Sequence, residues 1–301
     1  MAEPARKTSR GESRELDSGL PDDELSDIVL LQRWVERPDG RMELLEIPLT
    51  PEDFLNPRYG DKWLQGREHS ELTLELFELL KRRFEAQPDV VVMSDVQHRF
   101  GPRLDKPCPD VSVVRGVRDP GKIQDSFDVR KVGVRPCLLI EVVSPKDPRI
   151  RRVDEEDKVQ LYERVGIPEY LLVRPRRKGG REIGPLLRLR GYRLGPDGRY
   201  QPIEPDEKGR ILSQTTGLRF AVSPSGDRID VFDARTGRRL RRPVELEEAR
   251  KAAETKAARE AKARREAETK AAREAEARKA AEEELTRLRS ELERLERPGK
   301  R

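Results

Sequence analysis

Cysteine and histidine are scarce in this 301-residue chain, with two of each: Cys108, Cys137, His69 and His98. Two cysteines exclude a disulfide scaffold, and such a small set excludes a Cys/His zinc cluster. Aromatic residues reach only 5% and hydrophobic residues 34%, whereas 40% are charged. An ordinary domain carries roughly 25% charged residues, so part of this chain must be solvated helix or disorder. No apolar stretch approaches the ~18 residues of a membrane span, and the opening MAEPARKTSRGESREL lacks the apolar run of a signal peptide. Membrane and secreted classes are not expected; a reducing cytoplasm is. Neither charge sign dominates: 63 basic residues face 58 acidic ones for a net +5. The sum favours polyanionic partners only weakly, so the position of the charges matters more.

Composition changes along the chain predict three segments. Residues 1–23 are polar without apolar periodicity and read as a disordered tail. Residues 24–243 alternate apolar runs with Gly and Pro, as a globular domain does. Residues 244–301 are almost wholly Ala, Glu, Arg and Lys, and the heptad ETKAARE occurs at Glu254–Glu260 and again at Glu268–Glu274. These are strong helix formers with many i,i+4 charge pairs. Leu285, Leu288, Leu292 and Leu295 form a short a/d seam. A weak coiled coil joining a homodimer and a lone solvated helix both fit that stretch.

Within the globular segment, Glu68–Phe84 carries Leu72, Leu76, Leu79 and Leu80 at helical spacing. Val90–Met93, Val111–Val114, Cys137–Val143 and Glu169–Val173 read as strands. Val153–Val165 reads as a helix ended by Gly166 and Pro168. Short strands with hairpin turns follow, including GPDG and ARTG. The order predicts an α/β or α+β sheet with helices packed on it.

Glu141 is the informative residue. A carboxylate in the apolar run CLLIEVV is costly to bury unless it is paired or holds a metal; an edge position reaching water is the alternative. Asp110 opens the strand DVSVV, and two acids at the margins of neighbouring strands can share one hard cation such as Mg²⁺, with Mn²⁺ as a substitute. On a helical wheel, Asp154, Leu161, Tyr162 and Val165 all fall within about 60° of Lys158. Lys158 therefore sits in an apolar stripe, either snorkelling over the core or turned inward to the two acids. Asp, Glu and Lys together are the side chains of metal-assisted phosphodiester hydrolysis, the acids holding the ion and the lysine steadying the attacking oxygen or developing charge. His69, Glu75, Ser144, Asp154 and Tyr162 are accessory candidates.

PDVSVV at Pro109–Val114, LIEVVSP at Leu139–Pro145, D-x-x-x-K-x-x-x-Y at Asp154, Lys158 and Tyr162, and GIPEYLLVRP at Gly166–Pro175 follow in order. This series resembles the Uma-two family of putative restriction endonucleases, within the PD-(D/E)XK nuclease superfamily. The resemblance implies an α/β fold, a restriction-endonuclease-like mixed sheet flanked by helices, with Asp110 and Glu141 as Mg²⁺ ligands. In the superfamily the lysine lies two residues after the Glu on the same strand face. Here that position is Val143, so Lys158 is the natural replacement and Lys146 the runner-up.

Basic segments bordering this site are Arg149, Arg151 and Arg152 before the Lys158 helix, and Arg176, Arg177 and Lys178 after the EYLLV strand. They are candidate phosphate contacts to double-stranded DNA, or simply solubilising loops. The reading that follows is a Mg²⁺-dependent DNA endonuclease. The alternative is a non-catalytic nucleic-acid-binding or scaffolding protein on a degenerate nuclease fold, dimerised through its terminal helix.

Overall fold

The computed structural model describes residues 28–123, 125–143, 147–178 and 181–296. The expected tail at 1–23 lies outside them. The chain divides into two compact units, Met1–Leu240 and Arg241–Arg301. Among the described residues, no helix is long and apolar enough to cross a membrane.

In the first unit the elements run β1 (Leu30–Glu36), β2 (Met42–Pro48), α1 (Pro51–Leu55), β3 (Lys62–Trp63), α2 (Arg67–Phe84), β4 (Val90–Met93), β5 (Gln97–Arg99), β6 (Val111–Arg115), β7 (Ser126–Asp128) and α3 (Val129–Val132). Then come β8 (Pro136–Val142), α4 (Pro148–Arg152), a π-helical turn (Val153–Asp157), α5 (Lys158–Arg164), β9 (Glu169–Lys178), β10 (Arg181–Leu194), β11 (Tyr200–Pro202), β12 (Ile211–Ser213), β13 (Leu218–Val222) and β14 (Ile229–Asp233). The central sheet has the order β11-β10-β9-β8-β6-β4. Only β8 and β9 pair in parallel within it. A parallel pair needs a crossover, and the helical stretch from α4 to α5 supplies one. The sheet is thus mixed and flanked by helices, as the family resemblance implied.

Strand alternation in β8 places the site. Leu138, Ile140 and Val142 pack on one side with Leu72, Leu76, Leu79 and Leu80 of α2. Leu139 and Val143 pack on the other with Leu161 and Tyr162 of α5. A strand covered on both faces reads as a continuous apolar run, which is why Glu141 stands out within it. Burying Leu72, Leu76, Leu79, Leu80 and Phe84 along one stripe gives α2 on the order of 10 kcal/mol of apolar stabilisation, before ordering entropy is set against it. Its last turn carries Lys81, Arg82 and Arg83, favourable at the negative end of the helix dipole.

The helix expected as one piece over Val153–Val165 is two joined segments, a π-helical turn directly before Lys158 and then α5, and it continues α4. Such turns widen the helix by one residue and re-aim the side chains that follow.

His98 lies in β5, fully buried, between the rings of Phe127 (5.0 Å) and Phe100 (6.0 Å). Its Nδ1 donates to the Val96 carbonyl at 2.7 Å, while Nε2 has no partner among the described residues. Burial holds its pKa down at about 4. The unfolded chain, titrating near 6.5, binds the extra proton in between, so stability falls as pH drops from about 6.5 toward about 4. The expected loss is roughly 3 kcal/mol. Urea unfolding of wild type and His98→Phe at pH 7 and pH 4.5 checks this: the variant should show the shallower pH slope, and equal slopes refute the assignment.

The second unit is one helix, α6 (Pro243–Glu296), lined with i,i+4 pairs such as Arg264–Glu268 and Arg278–Glu282. Leu285, Leu288 and Leu292 of the seam are exposed; the side chain of Leu295 lies outside the described residues.

Candidate active site

Asp110 directly precedes β6. The antiparallel register pairs Val111 with Ile140, so the next position sets Asp110 opposite Glu141. The backbone N–H of Asp110 donates to Glu141 Oε2 at 3.4 Å, and the N–H of Val142 donates to Asp110 Oδ2 at 2.6 Å. Two carboxylates distant in sequence are therefore neighbours because their strands are.

Lys158 reaches them from the helix. Glu141 projects to the same side of β8 as Val143, which is the side α5 covers. Lys158 Nζ lies 2.9 Å from Glu141 Oε1 and 2.8 Å from Asp154 Oδ1, and its side chain is essentially inaccessible to solvent. Neither contact is aligned as a hydrogen bond, so both act as close ion pairs. The ring of Phe54 in α1 covers the ammonium at 4.3 Å, within cation–π range. Tyr162 donates its hydroxyl to Glu141 Oε1 at 3.1 Å, and Tyr170 donates to the Asp154 carbonyl at 3.0 Å. His69, near the start of α2, puts Nε2 3.3 Å from Asp110 Oδ2.

Five ionisable groups thus share one buried cluster. Burial opposes charge on Asp110, but His69 and Lys158 outweigh it and its pKa is lowered. Burial lifts Glu141 well above the usual carboxylate range, with Lys158 pulling it back and Asp110 and Asp154 pushing further. Burial likewise lifts Asp154 to about 6. Burial pushes His69 down, yet Asp110 reverses this and raises it to about 9, so the imidazole is cationic at neutral pH. Lys158 is also raised: its acids outweigh desolvation, and it stays an ammonium.

Three buried acids face two cations, and a further positive ion beside Asp110 and Glu141 would favour the ionised form of Glu141 over the neutral one that burial promotes. The donors fit a hard divalent cation: Glu141 Oε2 faces Asp110, and Asp110 Oδ1 makes no hydrogen bond among the described residues. No group of three or more His, Cys, Asp or Glu forms a metal-holding set among the described residues. Mg²⁺ characteristically takes one or two carboxylates and completes its shell with water and phosphate. A cavity of about 30 Å³, lined by His69, Asp110 and Asp154 together with apolar residues including Phe54 and Trp63, adjoins the acids. It has room for a water-sized guest.

The other sequence candidates fall elsewhere. Glu75, on α2, accepts from Arg228, away from the acids. Ser144 and Lys146 lie outside the described residues, as do the side chains of Arg176, Arg177 and Lys178. Arg149 folds back on Asp147 through two side-chain contacts at 3.1 and 2.7 Å. Arg152 pairs with Glu156 at 2.8 Å. Arg151 has a buried Nη1 with no partner among the described residues.

Sequence reasoning missed two neighbours. Phe54 sits in a five-residue helix with no periodicity to reveal it. Asp95 has positive φ (54°), and burial followed by Asp110 raises its pKa. It lines a separate cleft of about 780 Å³. Cys108 lines the same cleft, and burial pushes its thiol up to about 12, so it remains protonated.

A family model described as Uma2, putative restriction endonuclease, matches residues 63–231. Among solved structures, a putative nuclease belonging to DUF820 from Anabaena variabilis ATCC 29413 is 17% identical, with 53% of this chain and 83% of that chain covered and a TM-score of 0.37. No curated protein matches the chain.

Proposed function

The chain belongs to the Uma2 family of putative restriction endonucleases, and from that premise we propose that it is a divalent-metal-dependent nuclease hydrolysing phosphodiester bonds in DNA. The observation that carries this reading is the cluster itself: Asp110 and Glu141 side by side, with the Lys158 ammonium 2.9 Å from Glu141. Asp110 and Glu141 would hold Mg²⁺ or Mn²⁺. Bound there, the ion supplies charge neutralisation at the phosphate and acidifies a water.

The chain's own groups do the rest. Lys158 is kept protonated, so it cannot serve as a base; it stabilises negative charge as the phosphorane-like transition state forms. Asp154 and Phe54 hold that ammonium in place. His69 is a positioning residue, fixing Asp110 through its charged imidazole. Lys158 thereby replaces the lysine that the superfamily pattern puts at Val143. A non-catalytic nucleic-acid binder is the second reading, favoured by Val143 itself, which is apolar and packed against α5. The exposed leucines of α6 support pairing with a second copy, and the two free cysteines suit a cytoplasmic setting.

The test is nicking of supercoiled plasmid by purified protein with Mg²⁺, with Mn²⁺ and with chelator, taking Asp110→Asn as the blank for contaminating nuclease. Cleavage is expected with either ion and in neither control. Metal-supported cleavage equal in the blank rejects the assignment, and binding without cleavage under all conditions favours the second reading.

A further inference from the structure

The 780 Å³ cleft beside the buried acids has features of its own. Its rim carries Tyr59, 97% exposed, and Leu64, 82% exposed. Tyr59 is not on a loose loop. The turn is closed by the Asp61 N–H donating to the Arg58 carbonyl at 3.0 Å, with Gly60 at φ 88°. Asp61 in turn accepts from the Arg58 N–H at 2.9 Å and from Arg33 at 2.8 and 2.6 Å. The backbone of the turn is therefore pinned, and the aromatic ring it carries is open to solvent.

Four cations line the same cleft, Arg58, Lys62, Arg99 and Lys106, and none makes an ion pair among the described residues. Of the cleft's three acids, Asp61 is committed to Arg33, which leaves Asp95 and Asp125 to set against the four bases. The segment Trp63–Gln65 lines both this cleft and the small cavity at Asp110 and Asp154. A phosphate chain lying in the cleft is thus one wall away from the carboxylates.

We propose that this cleft binds an unpaired polynucleotide strand, with Tyr59 as the stacking platform for a base and Arg58, Lys62, Arg99 and Lys106 as its phosphate contacts. This rests on the nuclease reading and names its substrate class: single-stranded or locally unpaired nucleic acid, not continuous duplex. A protruding ring finds a base face only where the base is unstacked, whereas duplex offers it edges and backbone. Ring stacking and phosphate contact do not distinguish DNA from RNA, so both sugars belong in the test.

The experiment measures fluorescence anisotropy of labelled oligonucleotides bound to the full chain in chelator, so that no cleavage intervenes. The probes are single-stranded DNA, single-stranded RNA of the same sequence, a perfect duplex and a duplex with an unpaired bubble. At least one single strand, and the bubble, should bind about tenfold or more tightly than the duplex. Tyr59→Ala should weaken single-strand binding by about 5- to 150-fold while Tyr59→Phe stays near wild type. Lys62→Gln should lower the salt dependence by about one counterion. Circular dichroism confirms that these surface variants fold. Equal binding of duplex and single strand, or Tyr59→Ala indistinguishable from wild type, overturns the proposal while leaving a duplex-cutting nuclease intact. Binding to none of the probes overturns it and removes the nucleic-acid premise as well.

Discussion

Glu141→Gln is expected to abolish metal-supported cleavage, by on the order of a thousandfold or more, while leaving the fold as stable as wild type. Asp110→Asn should do the same to activity. A metal ligand supplies several kcal/mol of transition-state charge stabilisation, and each 1.36 kcal/mol is tenfold in rate. The stability half of the expectation comes from the surroundings. Burial already drives Glu141 toward its neutral form, and glutamine has the shape of that form. Its amide still offers an oxygen to the Tyr162 hydroxyl. Asp110→Asn keeps an acceptor for the Val142 N–H but loses the charge facing His69 and Lys158, so unlike Glu141→Gln it should melt below wild type. Plasmid nicking rates and thermal melts, each with and without Mn²⁺, separate the two effects. Wild type should melt higher with metal, because a ligand bound only to the folded state raises its stability, and the variants should not. Undiminished nicking by Glu141→Gln would end the metal-ligand assignment.

Much of this site could be read from the sequence because it depends on strand order and helix phase. The apolar run Leu138–Val143 reads as a strand, and an acid inside it calls either for a partner or for an edge reaching water; the structure places β8 between β6 and β9. Lys158 could be placed because Leu161, Tyr162 and Val165 follow it beyond the π-helical turn, where ordinary spacing resumes. The turn itself leaves no mark in composition. His69 had a legible signal: with Leu72 and Leu76 it falls at i, i+3 and i+7 on the buried stripe of α2. The β1–β2 hairpin was hidden for a different reason. Its inward positions are Leu31 and Arg33, and the arginine breaks the apolar alternation. Arg33 is tolerated inside because Asp53 and Asp61, both distant in sequence, receive it at 2.8 and 2.6 Å. Phe54 owes its role to that same packing. Contacts made by residues that look like loop or surface in one dimension are what a pattern of local periods cannot reveal.

Lys158→Met should be the most damaging single change to the protein as a whole. The methionine can fill the stem's volume, but nothing replaces a charge that holds Glu141 at 2.9 Å and Asp154 at 2.8 Å. Breaking a buried ion pair from one side typically costs about 3–5 kcal/mol. On the role proposed for Lys158, cleavage should fall by on the order of a hundredfold or more, since the cation held beside Asp110 and Glu141 is lost. The two losses can be separated. Adding Glu141→Gln and Asp154→Asn to Lys158→Met removes the orphaned charges and should restore most of the stability, and none of the activity. The pH dependence has a definite sign. Without the ammonium, both acids, already raised by burial, move further up. Groups whose folded pKa is raised contribute stability below the unfolded value near 4 that is lost as pH climbs toward the folded one. Lys158→Met should therefore melt closest to wild type near pH 5 and fall progressively behind it by pH 8. A deficit that is the same at both pH values would mean that Lys158 serves the fold through its packed methylenes, and the case for its charge in catalysis would go with it.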